Sequence, residues 1–308
     1  AVCMMAGTAS LPHVMMRYFT TPSVKAARRS VGWSLFFIFL LYSSAPMLAT
    51  LSKLSLMDPN LATGIIGKSI SEVQAIDWYQ NWNQANLMFV SDFNGNGTLE
   101  LNEFFMGGKA VVLATPEVAG LPYVISGLVA AGGMAAAMST ADGLVLAISN
   151  ALSHDIYYKI INPKAETAKR LIVARVLLVL IGFAGATIAA LEIQGILGSV
   201  IWAFDFAMSG LFFPLVLGVW WKRANAQGAV AGMLGGLAAG TAYLIAVRSG
   251  YPGFLDITQL TFGIVGSVVS LVLMVVVSLM TKAPDAATQK MVDEVRVPSG
   301  KAILGRQH

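Results

Sequence analysis

The chain has 308 residues, of which 56% are hydrophobic and 12% charged, and its mean hydropathy is +0.70. Soluble domains carry about 25% charged residues, so the composition excludes an ordinary soluble enzyme and indicates a membrane protein. The net charge of +4 then marks basic loops on one side of a bilayer, with no nucleic-acid partner. A single cysteine, Cys3, rules out an internal disulfide.

In chain order, residues 1–19 read as the second half of a membrane span. About 20 mainly apolar residues cross a bilayer, and residues 33–52, 119–150, 173–191, 196–221, 229–247 and 260–281 meet that test. The expectation is an all-α polytopic membrane protein with about seven membrane segments. The chain opens inside an apolar stretch, which is read as a piece lacking an N-terminal part.

Basic residues set the orientation. Arg17, Lys25, Arg28 and Arg29 follow the first segment, Lys159, Lys164, Lys169 and Arg170 follow the third, Lys222 and Arg223 end the fifth, and Lys282 follows the last. These alternate sides consistently and are assigned to the cytoplasm. The opposite side holds Glu192, Arg248, Asp256 and the long insert 53–118, and the tail 282–308 is expected to be cytoplasmic and mobile. The expected location is a bacterial inner membrane.

The third segment carries the most chemistry. Ala136, Ser139 and Thr140 stand at i, i+3 and i+4, on one helical face. A carbonyl and two hydroxyls converging in a membrane replace water around a small hard cation; the same small residues also serve tight helix packing. Asp142 lies about 60° round the helix from Ser139. An intramembrane acid is costly, so it is read as tuning the cation site or accepting a proton, with a structural partner as the alternative. Asp205 is a second such acid, lining a pathway or marking an interrupted helix near Gly210.

In the first segment, Gly7 and Thr8 permit unwound backbone, and Pro12 lacks a helix donor. Freed N–H groups and the Thr8 hydroxyl then suit a carboxylate, with a simply Pro-kinked helix as the alternative. His13 is either a proton relay or a structural group. His154-Asp155 reads as a helix cap or an internal gate contact.

The insert contains DFNGNGTLELNE, which fits an EF-hand loop: Asp92, Asn94, Asn96, Gly97 and Glu103 at positions 1, 3, 5, 6 and 12, with a Thr98 carbonyl at 7. Ca²⁺ is the ion for such a loop, though two asparagines lower its charge and Gly107-Gly108 interrupts the exiting helix. An Asn-Gly turn capped by Asp92 is the alternative. Trp78, Tyr79 and Trp82 pack the insert at the outer mouth or anchor it at the interface.

GTASLPHVMMRYFT (residues 7–20), the basic stretch after it, and STADGL with SHDIY (139–144 and 153–157) resemble the sodium:solute symporter family, closest to its cation–acetate symporter-like branch. The resemblance implies a partial leucine-transporter-type, inverted-repeat fold. Residues 1–221 would form the second repeat, 222–281 two further helices, and the first repeat would be absent. By motif, Ala136, Ser139 and Thr140 become Na⁺ ligands, and Gly7, Thr8 and His13 lie on the substrate pathway. The implied activity is Na⁺-coupled symport of a short monocarboxylate such as acetate, in contact with membrane lipid and without enzymatic chemistry. A channel, or a membrane sensor with a Ca²⁺-responsive external loop, is the alternative, and the isolated piece is expected to be inactive.

Overall fold

The structure, a computed structural model, describes residues 1–16, 21–61, 63–191 and 195–296. Arg17, Glu192 and the tail beyond Arg296 lie outside the described residues. The elements are α1 (Val2–Ser10), α2 (Pro12–Met16), α3 (Val24–Met57), α4 (Ile70–Gln74), α5 (Asp77–Gln84), β1 (Met88–Val90), β2 (Phe104–Met106), α6 (Val111–Val118), α7 (Tyr123–Asn150), α8 (Thr167–Ala190), α9 (Ile196–Ala207), α10 (Phe213–Trp220), α11 (Ala226–Arg248), α12 (Gly263–Met280) and α13 (Ala286–Arg296). Two π-helical segments, Ala151–Ile161 and Met208–Phe212, extend α7 and join α9 to α10.

Six helices are long and apolar enough to cross a membrane, among the described residues: α3, α7 with its π extension, α8, α9 through α10, α11 and α12. They match the six full-length apolar runs, and α1–α2 occupy the half-span at the start. The protein is therefore an integral, polytopic, mostly helical membrane protein. In their most apolar stretches none of the residues of α3, α7 or α8 is buried, whereas 22–33% are in α9–α10, α11 and α12. Helices that are apolar all round yet unburied require a nonaqueous environment.

The chain divides into two units, Arg28–Asp142 and Ala1–Ala27 with Gly143–His308. The first is organised by the insert. Leu56 at the end of α3, Ile65, Val73, Tyr79, Met88, Leu99, Ala110, Ala114 and Val118 form its core. Trp78 and Trp82 pack on this core, and Trp82 donates to Glu117 at 2.9 Å. The Tyr79 hydroxyl accepts the Val90 N–H at 3.1 Å. These aromatics thus hold the insert together internally. Ser52 and Thr115 share a 2.6 Å hydrogen bond that ties α3 to α6.

The loop 92–103 does not lie between helices. It connects β1 and β2, antiparallel with Met88 opposite Met106 and Val90 opposite Phe104, and the rings of Phe89 and Phe105 stack at 4.6 Å. Aromatic cross-strand pairs favour this pairing. Glu103, at the loop's end, is fully buried. Its two oxygens accept the Phe93 N–H at 2.9 Å and the Glu100 N–H at 3.0 Å. Glu103→Ala strands both donors and should destabilise the insert by about 2 kcal/mol. Limited proteolysis within 53–118 would read this as faster cleavage.

In the second unit, α11 and α12 form a tightly packed pair. Gly228, Gly232, Gly236 and Gly240 recur every fourth residue along the buried face of α11. A Cβ on Gly232 would meet the Ser270 carbonyl at 2.9 Å, and one on Gly236 would collide with the Ser209 carbonyl. Small residues let the backbones approach this closely. The turn before α11 fastens the far end of α12. Asn225 caps α11 by accepting the Gly228 N–H at 2.8 Å and donates to Thr281 at 2.6 Å, while Arg223 donates to the Thr281 carbonyl at 2.6 Å.

The described part of the tail is ordered, contrary to the mobile segment expected. α13 buries Val292, and Arg296 donates to the carbonyls of Val219 at 3.0 Å and Trp220 at 2.8 Å, the open end of α10. Lys222 pairs with Asp293 at 2.8 Å. A cation at a helix C-terminus satisfies orphan carbonyls and complements the dipole. Thr288 hydrogen-bonds to Asp285 at the start of α13 and holds that carboxyl below its ordinary value. The cap is therefore formed at neutral pH and lost as the pH falls through the carboxyl range.

Candidate ion and substrate sites

α7 is helical without interruption through Ala136, Ser139 and Thr140, so the three share one face. All three are exposed, and the Thr140 hydroxyl donates to the Ala136 carbonyl at 3.4 Å. Asp142 is also exposed. Carbonyl and hydroxyl oxygens suit a small hard cation, and they leave coordination positions for a further element.

The first segment breaks at a different place from the one expected. α1 is continuous through Gly7 and Thr8, whose hydroxyl bonds back to Met4 at 2.6 Å. The interruption falls at Leu11, which is extended (φ −69°, ψ 120°) before Pro12 opens α2. The residue before a proline is pushed out of the helical region, which fixes the break there. Gly7 is buried, and a Cβ on it would sit 2.5 Å from the Phe204 carbonyl of α9. Its role here is close helix approach.

Next to this break a largely apolar cleft of about 740 Å³ opens, lined by Leu11, Pro12, His13, Leu144, His154 and Asp155 among others. His154 and Asp155 belong to the π-helical extension of α7. Asp155 accepts from Lys159 at 3.0 Å and lies 3.1 Å from His154 Nδ1. π segments recur at functional sites, and hydropathy carries no signal for one extra residue per turn. Ser149 fixes the same region by donating to the Ala174 carbonyl of α8 at 2.8 Å.

Asp205 stands just before an interruption of the helix that includes Gly210. It is fully buried where α9 passes into its π segment. Gly7, Thr8 and His13 lie in one unit, and Ala136, Ser139 and Thr140 in the other.

In the loop 92–103, Asp92 accepts from Gly95 at 2.7 Å and Gly97 at 3.0 Å, Asn94 from Asn96 at 2.9 Å, and Asn96 from Thr98 at 2.7 Å. Asn94 and Asn96 also donate to Glu100 at 3.0 and 3.1 Å. Gly95 and Gly97 adopt positive φ of 71° and 70°, as such a turn demands. The loop closes on its own hydrogen bonds. Among the described residues no group of three or more His, Cys, Asp or Glu is placed to hold a metal ion, so the calcium reading gains no support.

The helix carrying the carbonyl–hydroxyl face lies inside a stretch, 108–236, that matches the sodium:solute symporter family. Residues 108–236 carry that family's sequence pattern. That family's description names sodium and a solute as what its members carry together. An uncharacterised symporter of Cupriavidus necator is 43% identical over 258 residues, covering 83% of this chain and 36% of that protein. A monocarboxylic acid transporter of Corynebacterium glutamicum is 27% identical over 239 residues, covering 77% of this chain and 36% of its own length. The chain therefore spans about a third of each of these relatives.

Proposed function

We propose that the complete protein is a secondary transporter that couples Na⁺ entry to uptake of a short monocarboxylate such as acetate. The exposed face of Ala136, Ser139 and Thr140 on α7, inside the family-matched stretch, carries this reading. Ala136 gives its carbonyl to the ion, and Ser139 and Thr140 give their hydroxyls. The remaining ligands come from an element outside this chain. Similarity to a monocarboxylic acid transporter supports the substrate class.

The break at Leu11-Pro12 frees backbone groups beside His13, and the neighbouring cleft is the path by which solute leaves the midplane. Na⁺ on the α7 face favours the state open to the outside and preforms the substrate site, so ion and solute bind with mutual gain. Asp142, close to the ion-binding face, adjusts its field. The basic loops and α13 face the cytoplasm, in a bacterial inner membrane.

Labelled acetate uptake into proteoliposomes holding the complete protein tests this. Saturable uptake that rises with an inward Na⁺ gradient is expected. Conductance without saturation would establish a channel instead. No uptake of any short monocarboxylate by folded protein would leave a sensor.

A further inference from the structure

We infer that Asp205 is an exchangeable proton site, buried where α1, α9 and α12 meet. The residue has no exposed surface, and among the described residues neither carboxylate oxygen has a hydrogen-bond partner. Its immediate polar neighbours are the Cys3 thiol on α1 and the Gly263 N–H at the start of α12, neither in bonding geometry. The packing leaves no slack, since a Cβ on Gly263 would stand 2.8 Å from Asp205 Oδ1. The rings of Phe206 and Phe262, 4.9 Å apart, crowd the adjoining positions. An ionised carboxylate held this way has no partner among the described side chains, and such a group takes up a positive charge.

The surroundings favour a proton over a metal cation. Na⁺ needs a shell of several oxygens, but the Ser209 hydroxyl is committed to the Asp205 main-chain carbonyl at 2.7 Å. No side chain of α10, α12 or the π segment 208–212 is titratable. α9 holds no second charge, and the one charged side chain of α11, Arg248, lies over the Trp202 ring. From α1, Cys3 is the one titratable side chain that faces Asp205. No fixed cation therefore neutralises Asp205 from the helices around it.

The π segment starting at Met208 lets the backbone shift by part of a turn, which gives the proton a route in and out. Proton occupancy then favours the packed position of α1, because an ionised Asp205 would set bare charge against it.

Infrared difference spectra of the complete reconstituted protein, recorded between acid and alkaline buffers, test the assignment whether or not the protein moves acetate. The expected result is a protonated-carboxyl C=O band that titrates, disappears in Asp205→Asn and persists in Asp142→Asn. Should Asp205→Asn fail to fold, Asp205→Glu must displace the same band, and an unmoved band overturns the proposal. A titration identical in wild type and Asp205→Asn also overturns it. A band that responds to Na⁺ but not K⁺ at constant pH would replace the proton by a metal cation.

Discussion

Ser139→Ala combined with Thr140→Ala should weaken Na⁺ binding by the complete protein about a hundredfold and remove gradient-driven uptake. Each hydroxyl lost from a cation's shell costs about 1.4 kcal/mol, or a factor of ten. Both side chains are exposed within the chain, so no packing is lost with them. Circular dichroism and folded yield should therefore match wild type, which separates loss of a ligand from loss of fold. Thr140→Ser keeps an oxygen at the position and should retain most of the coupling. Isothermal titration with Na⁺, in parallel with uptake, is the measurement. Unchanged Na⁺ dependence in the double variant would remove α7 from the ion site.

Gly236→Ala should destabilise the protein by about 3 kcal/mol, although it adds only one methyl group. A Cβ there collides with the Ser209 carbonyl and approaches Ser270 Cβ to 2.7 Å and the Gly266 carbonyl to 3.0 Å. Two of the three obstacles are backbone, so rotamer changes cannot relieve them, and overpacking against backbone lies at the upper end of its usual cost. Gly185→Ala on α8 is the control. Nothing lies within 4 Å of its added Cβ, and trading Gly for Ala in an open helix position gains about 0.5–1 kcal/mol. A thermal melt in detergent should lower the first midpoint and leave the second level or higher. Equal midpoints would mean that α11 and α12 are not packed as described.

The membrane helices were legible because a bilayer selects a property that hydropathy reads directly. Their ends were less so. α3 extends back to Val24 through Lys25, Arg28 and Arg29, straight-chain residues that continue a helix well but interrupt an apolar run. The DFNGNGTLELNE motif located a tight turn at residues 92–103 but not the strands around it. Three-residue strands carry too little alternation to detect, and Phe89 against Phe105 pairs positions far apart in sequence. The α7 face followed from spacing alone, because a regular helix maps spacing onto geometry. The burial of Asp205 did not, since three helices remote in sequence create it. The break at Leu11 was readable from Pro12, whereas Gly7 and Thr8 were misleading: one is small to fit Phe204, and the other bonds within its own turn. Order in α13 had a signal too, with Val292 and Arg296 one turn apart on a single face.

The attachment of α13 has a practical side. Arg296 grips the last carbonyls of α10, while Lys290 and Glu294 keep side chains 78% and 67% exposed. A spin label or fluorophore at either position would ride on a short rigid helix and not on a loose chain. It would report tilting of α10 from outside the bilayer, without a probe in the packed helices.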